Sequence, residues 1–176
     1  MVLVETNEVD DDSDTEVEDD QHLSQELIAA INSTSLKKVK RRLDAGDSVL
    51  LFGYKGHNVF HYAIRAGGRR VLNELLECDP IKNNLWVLNR PDDDGEPPLH
   101  LGLELGNIEM MAALLNAGAN VNARDRNDFT CLEKALDGPR TDIVELLLSH
   151  KADESLFDSD LQRRLDSIKI IRDQRS

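Results

Sequence analysis

The chain has 176 residues, a formal net charge of −13 and only 4% aromatic residues. That length suits one domain plus a tail, with a core supplied by Leu, Ile, Val, Met and Ala rather than by rings. No apolar run approaches the ~18 residues needed to span a bilayer, and Met1-Val2-Leu3-Val4 is followed at once by acids, so neither a membrane span nor a signal peptide is expected.

The charge is unevenly placed. Residues 1–20 hold ten of the 34 acids and none of the 21 bases, which leaves the rest of the chain at a net −3. Dense like charge with few apolar residues predicts a disordered acidic tail over 1–21. Within it, Ser13 has Glu16 three residues on and Thr15 has Glu18, the pattern favoured by acidophilic kinases. Phosphorylation would add ~1.5–2 negative charges per site. Ser13 and Thr15 are therefore candidate modification sites, beside the plainer reading of a solvating tail with incidental hydroxyls.

The next feature is Lys37-Lys38-Val39-Lys40-Arg41-Arg42. On a helix, Leu36, Val39 and Leu43 would face the core and the five bases would face water. As a linear string the run is also similar to a short nuclear-import signal.

From here the chain repeats. Gly95-Glu96-Pro97-Pro98-Leu99-His100 returns thirty-three residues later as Asp128-Phe129-Thr130-Cys131-Leu132-Glu133. Met111 maps to Val144, Leu114 to Leu147 and Ala119 to Ala152. Gly56-His57-Asn58-Val59-Phe60-His61 fills the same slot 39 residues before Gly95. Six extra residues therefore enter between Glu77 and Pro91, around Asp79–Trp86. One further step back takes Ala63 to Ala30 and Leu72 to Val39. The units are about 22–51, 52–88, 89–121 and 122–154, within a repeat domain of 22–157. In Asn107–Asn116, Ile108, Met111, Leu114 and Leu115 recur at helical spacing. The wider stripe Ile143, Val144, Leu146, Leu147 and Leu148 predicts a helix buried between neighbours. Over 158–176, Leu161, Leu165, Ile168 and Ile171 form a narrow stripe that suits a C-terminal capping helix.

A period of 33 with a Thr-Pro-Leu-His-like turn resembles the ankyrin repeat family over about Leu23 to Asp153. The resemblance implies an all-α solenoid of about four helix-turn-helix units. It departs at Asp128, Glu133, Pro139 and Lys151, where the family has Gly, His, Gly and Gly. It implies that His61 and His100 hydrogen-bond turn backbone at the start of the first helix of each unit. Leu114–Asn122 is similar to asparagine-hydroxylation sites of ankyrin repeats, although a structural use of Asn122 in its turn is the expected role.

Family members usually bind partner proteins with the turn tips and the exposed side of the first helix, on the concave face. Carried over, these positions are Tyr54, Lys55, His57, Arg65 and Ala66; then Asp93, Asp94, Glu96, Glu104 and Leu105; then Arg126, Asn127, Phe129 and Asp137. Tyr54 and Phe129 fall where the fold needs no aromatic, and aromatic anchors dominate many interfaces. Trp86, beside the insertion, either packs the long loop onto the stack or is a further contact. The expected function is a non-catalytic protein-interaction module, an adaptor or inhibitor of a partner not named by the sequence. The alternative is an IκB-like inhibitor of Rel/NF-κB transcription factors. That resemblance rests on a short stack with an acidic N-terminal extension and on Gly56–His61.

The register also arranges charge. Lys37, Arg70, Glu109 and Asp142 form one row, and Asn32, Arg65, Glu104 and Asp137 a second, each running from basic or neutral to acidic. The acidic tail is expected to fold back on the basic end. No phosphate-cradling glycine loop, nucleophile elbow or His-Glu-x-x-His motif occurs, and His22, His57 and His150 lack ligand spacing, so no catalysis, metal or cofactor is expected. Cys78 and Cys131 lie in different units without a Cys-x-x-Cys pairing and are expected as reduced thiols of an intracellular, cytoplasmic and also nuclear, protein. A near-neutral repeat domain with an acidic half argues against direct nucleic-acid binding. A monomer is expected.

Overall fold

The structure, a computed structural model, describes residues 22–138, 140–155, 157 and 159–173, of which 171–173 as backbone alone. The expected disorder of residues 1–21, with Ser13 and Thr15, lies outside the described residues, as do Pro139 and the side chain of Ile171.

Helices come in pairs. α1 (Gln25–Asn32) and α2 (Leu36–Asp44) are followed by α3 (Val59–Arg65) and α4 (Arg69–Glu77). Two short helical turns, α5 (Asp79–Lys82) and α6 (Trp86–Asn89), intervene before α7 (Pro98–Glu104) and α8 (Ile108–Asn116). Then come α9 (Cys131–Leu136), α10 (Thr141–Ser149) and a longer α11 (Ser159–Asp173). The described residues form no strand, only isolated bridges joining His22 to Phe52 and Arg124 to Thr130. The fold is the expected all-α solenoid.

The pairs stack into two rows. α1, α3, α7, α9 and α11 touch in series as an inner row, and α2, α4, α8 and α10 as an outer row. Between the rows lie fully buried apolar side chains: Leu27, Ile31, Phe60, Ile64 and Leu99 from the inner helices, Val39, Leu72, Leu75, Met111, Leu114 and Val144 from the outer. Each helix is too short to be stable alone, so packing of its apolar face supplies its stability.

At its far end the stack closes as the narrow stripe predicts. Leu165 is fully buried, Leu161 and Ile168 pack partly against the core, and Asp160, Arg163, Arg164 and Asp166 of α11 are exposed. The stripe on α10 is less covered than expected. Ile143, Val144 and Leu147 are buried, but Leu146 and Leu148 only half so. Among the described residues α10 is the last outer helix, so it has an outer neighbour, α8, on one side only.

Two departures from the repeat keep its backbone. Asp128 takes φ 65° where Gly95 takes 77°, and Lys151 takes 63° where Gly118 takes 97°. The turns are therefore conserved in shape, with a side chain held in the left-handed region at a cost of ~1–2 kcal/mol for a residue such as Lys. The second unit solves the same position differently. Asp79, its equivalent of Gly118, opens α5 instead of making a left-handed turn, and Pro80 follows in the first turn. The six extra residues thus fold as α5 and α6, pinned by buried Ile81, Val87 and Leu88. The buried Asn58 amide donates to the Val87 carbonyl at 2.8 Å.

Candidate partner-binding face

The second and third tips are built by one repeated device. Asp92 Oδ1 accepts from the backbone N–H of Asp94 and Glu96 at 3.1 and 2.9 Å. Asp125 Oδ1 accepts from Asn127 and Phe129 at 2.9 and 3.0 Å. These acids are turned inward, their side chains 1% and 5% exposed, because the tip backbone offers more donors than its own carbonyls can use. Their spacing of 33 was the available signal, but an acid in a loop reads by default as solvated charge, and sequence reasoning passed over both.

The tips are also tied to the preceding unit. The buried His61 ring bonds the Glu96 carbonyl through Nε2 at 2.9 Å, and His100 bonds the Phe129 carbonyl at 2.9 Å. His61 Nδ1 accepts from the Asn58 N–H at 3.2 Å, which leaves Nε2 as the donor. His100 Nδ1 has no such partner, because residue 97 at its cap is a proline without an N–H. Burial pushes the His61 pKa down to about 4 and lowers that of His100, so both rings act as neutral donors. In the last unit the slot holds Glu133, which closes a capping box with Thr130 at 2.6 and 3.2 Å. Asn122 has the structural role expected of it. Its Oδ1 accepts from the Asp153 N–H at 2.8 Å, as Asn89 Oδ1 accepts from Asn120 at 2.6 Å.

On this scaffold Tyr54 and Lys55 stand on the first tip, Asp93 and Asp94 on the second, Arg126 and Asn127 on the third, all exposed. Tyr54 is 76% and Phe129 51% exposed, large values for rings that the core does not require. The first two tips touch: Asp93 N–H donates to the Lys55 carbonyl at 3.0 Å, and Lys55 Nζ lies 3.6 Å from Asp94. Between the second and third tips lies a hollow of about 290 Å³ lined by Asp94, Glu96, Glu104, Asp125, Arg126 and Lys134. Lys134 Nζ sits 3.0 Å from Asp125 and 3.8 Å from Glu104. Glu96 is half-buried there; desolvation, and then the neighbouring Glu104 carboxylate, push its pKa up to about 7. Arg65 is exposed on α3, with Ala66 half-buried beside it, and Leu105 and Asp137 are exposed at the ends of their inner helices.

His57 is placed differently from its neighbours. It is 9% exposed, stacked on His61 with ring centroids 5.5 Å apart and met edge-on by Tyr62. Its Nε2 lies 3.3 Å from Asp92 Oδ2 without hydrogen-bond geometry. Burial, then the Arg65 charge, lowers its pKa against the pull of Asp92. The ring supports the tip from beneath rather than offering itself to solvent.

Trp86 belongs to another surface. Its ring is 47% exposed and meets Phe52 at 6.0 Å, and the Arg90 guanidinium lies 4.2 Å over the Phe52 ring. The tryptophan thus packs on the chain and still presents about half its area. On the outer face successive helices are joined by ion pairs, Lys40 with Glu74 at 3.0 Å and Arg69 with Glu109 at 2.7 Å; of the expected row of Lys37, Arg70, Glu109 and Asp142 only Glu109 takes part. The partner of Glu109 is Arg69, one residue before the expected Arg70. In the inner row, Glu104 and Asp137 are met by Lys134 and Arg164 of the following inner helices, which softens the acidic end. Cys78 and Cys131 are free thiols. No helix among the described residues is long and apolar enough to cross a membrane.

A family model described as ankyrin repeats (3 copies) matches residues 27–125 and again 60–158. The chain is 34% identical over 116 residues to the nuclear factor NF-kappa-B p105 subunit of Gallus gallus, covering 66% of this chain and 12% of that protein. It is 34% identical over 120 residues to the human transient receptor potential cation channel subfamily A member 1, covering 68% and 10%. It is 29% identical over 133 residues to the phosphocholine transferase AnkX of Legionella pneumophila, covering 74% and 13%. The chain therefore spans roughly a tenth to an eighth of these relatives, whose names describe a transcription-factor subunit, a channel and an enzyme. What they share with it is the repeat.

Proposed function

The chain belongs to the ankyrin repeat family, and we propose that it is a non-catalytic adaptor or inhibitor that binds a partner protein through its tips and inner helices. Ankyrin repeats are generally protein–protein interaction modules, and the repeat domain is a non-catalytic interaction fold. The observation that carries the reading is the exposure of Tyr54 and Phe129 on ordered tips, the first held by backbone hydrogen bonds and the third by Asp125 and His100 as well. A rigid aromatic loses little conformational entropy on binding, which is why such residues concentrate interface energy. The surrounding Lys55, Asp93, Asp94, Glu104, Arg126 and Asn127 would set orientation and specificity rather than affinity.

The test is affinity capture with the full chain, wild type beside a Tyr54→Ala/Phe129→Ala double variant. The reading expects the double variant to lose, by tenfold or more on the ~1.4 kcal/mol-per-decade scale, the partners that the wild type retains. Equal capture by both baits would remove these tips from the binding face.

A second reading is an IκB-like inhibitor of Rel/NF-κB factors. It is favoured by the similarity to the NF-kappa-B p105 subunit over two thirds of the chain. Direct titration against a Rel-type factor separates it from the general reading: no binding at micromolar concentrations would discard it and leave the tip face untouched.

A further inference from the structure

The first unit carries positive charge that the described fold leaves unneutralised. Of the five bases on α2, two are committed. Arg42 donates to both Asp47 oxygens at 2.9 and 2.7 Å, and Lys40 pairs with Glu74. Lys37, Lys38 and Arg41 are exposed, and among the described residues they have no ion-pair partner. Lys37 and Lys38 stand in the first turn of α2, where the helix dipole adds to their positive field. Farther along the outer face Arg69 is matched by Glu109 and Lys82 by Glu77, and Arg70 alone on α4 stands exposed without an ion-pair partner among the described residues.

The point at which the chain enters the fold lies beside this face. Ser24 caps α1, and its hydroxyl donates at 2.6 Å to Asp47 Oδ2, the carboxylate that Arg42 also holds. One carboxylate thus links residue 24 to the last turn of α2. The residues leading to that point carry Glu5, Glu8, Asp10, Asp11, Asp12, Asp14, Glu16, Glu18, Asp19 and Asp20 without a base. A nine-residue helix is ~13.5 Å long, whereas extended chain covers ~3.3–3.6 Å per residue, so a few residues of this segment can follow all of α2. Tethering raises effective concentration to the millimolar range, where attractions between exposed charges, each individually small, become sufficient.

We propose that the acidic segment of residues 5–20 is the intramolecular ligand of the basic face formed by Lys37, Lys38 and Arg41 on α2. The contact is electrostatic, made in cis, and separate from the tip face. An external acidic partner of α2 has to displace it.

The test uses the full chain with Ser13→Cys carrying a nitroxide in a Cys78→Ser background; Cys131 is buried and its thiol pKa is driven far up, so it stays unlabelled. At about 20 mM salt the amide signals of Lys37, Lys38 and Arg41 should fall below about half of their reduced-label intensity, and recover at about 0.5 M, where the Debye length shrinks to a few ångströms. Lys37→Glu/Lys38→Glu/Arg41→Glu should abolish the effect. So should replacing the ten acids of residues 1–20 by their amides, which leaves the repeats unaltered. No signal loss at low salt, loss that survives either change, or equal loss on α8 and α10 would overturn the proposal. Mixing isotope-labelled chain with spin-labelled unlabelled chain closes the remaining route: broadening transferred between molecules would make a second copy the occupant and overturn it too.

Discussion

His61 of α3 reaches 35 residues forward to bond the Glu96 carbonyl at 2.9 Å, and its other nitrogen caps Asn58 of its own helix. One ring therefore fixes the start of a helix and the tip of the following unit. His61→Ala would strand the Glu96 carbonyl and the Asn58 amide and open a cavity, so we expect a loss of about 3 kcal/mol. Urea denaturation followed by circular dichroism measures it; a loss below ~1 kcal/mol would show that the bond is replaced by water.

The same ring makes stability depend on acid. Its folded pKa of about 4 lies below the ordinary value of 6.5, so the unfolded chain takes up the proton first. The stabilisation is complete above about pH 6.5 and is lost as pH falls toward 4, with a ceiling of about 3 kcal/mol by linkage. Denaturant midpoints between about pH 7.5 and 4.5 should fall more steeply for wild type than for His61→Ala.

Glu96 acts in the opposite sense. Its folded pKa is raised to about 7 from 4.5, so its contribution is present below pH 4.5 and is lost as pH rises through 7. Glu96→Gln should then gain on wild type between pH 5 and 8, by less than ~1 kcal/mol because the group is half-exposed and screened. A difference between the two proteins that does not change with pH would mean that neither burial nor Glu104 raises the Glu96 carboxyl.

Lys151→Gly should stabilise the last unit. The residue is exposed and holds φ 63°, a conformation that costs a branched-free L side chain ~1–2 kcal/mol and glycine almost nothing. After the entropy that glycine adds to the unfolded chain, a gain of about 0.5–1 kcal/mol remains. A fall in the midpoint would show that the Lys151 side chain packs usefully on its neighbours.

Trp86→Ala separates packing from contact at the insertion. The ring covers Phe52 but leaves about half of itself in water, so we expect a modest loss of about 1–2 kcal/mol and unchanged capture of the tip-face partner. Lost capture with intact stability would move the binding surface to the Phe52–Trp86–Arg90 side.

What the period made legible, and what it hid, follow from the same physics. The 33-residue register placed the helix pairs, the His61 and His100 slot and the Asn122 turn, because each recurs wherever one unit meets the next. It also located the insertion, but not its contents. Across α5 and α6 the register breaks, so nothing in the pattern brought Phe52 and Arg90 to Trp86. Asp92 and Asp125 kept the period and were still passed over, since their buried role depends on backbone donors that composition does not display. His57 looked like a tip residue by position; the ring beneath it and Asp92 beside it draw it inward.

The two imidazole bonds point toward the C-terminus, spanning 35 residues from His61 and 29 from His100. A growing chain delivers each donor before its acceptor exists. At ~5–20 residues per second of synthesis, the His61 ring waits on the order of seconds for the carbonyl it will hold. For the second and third units the order of synthesis thus becomes an order of closure, each imidazole staying unlatched until the next tip is made, while the fourth unit, carrying Glu133 in that slot, closes its capping box on itself.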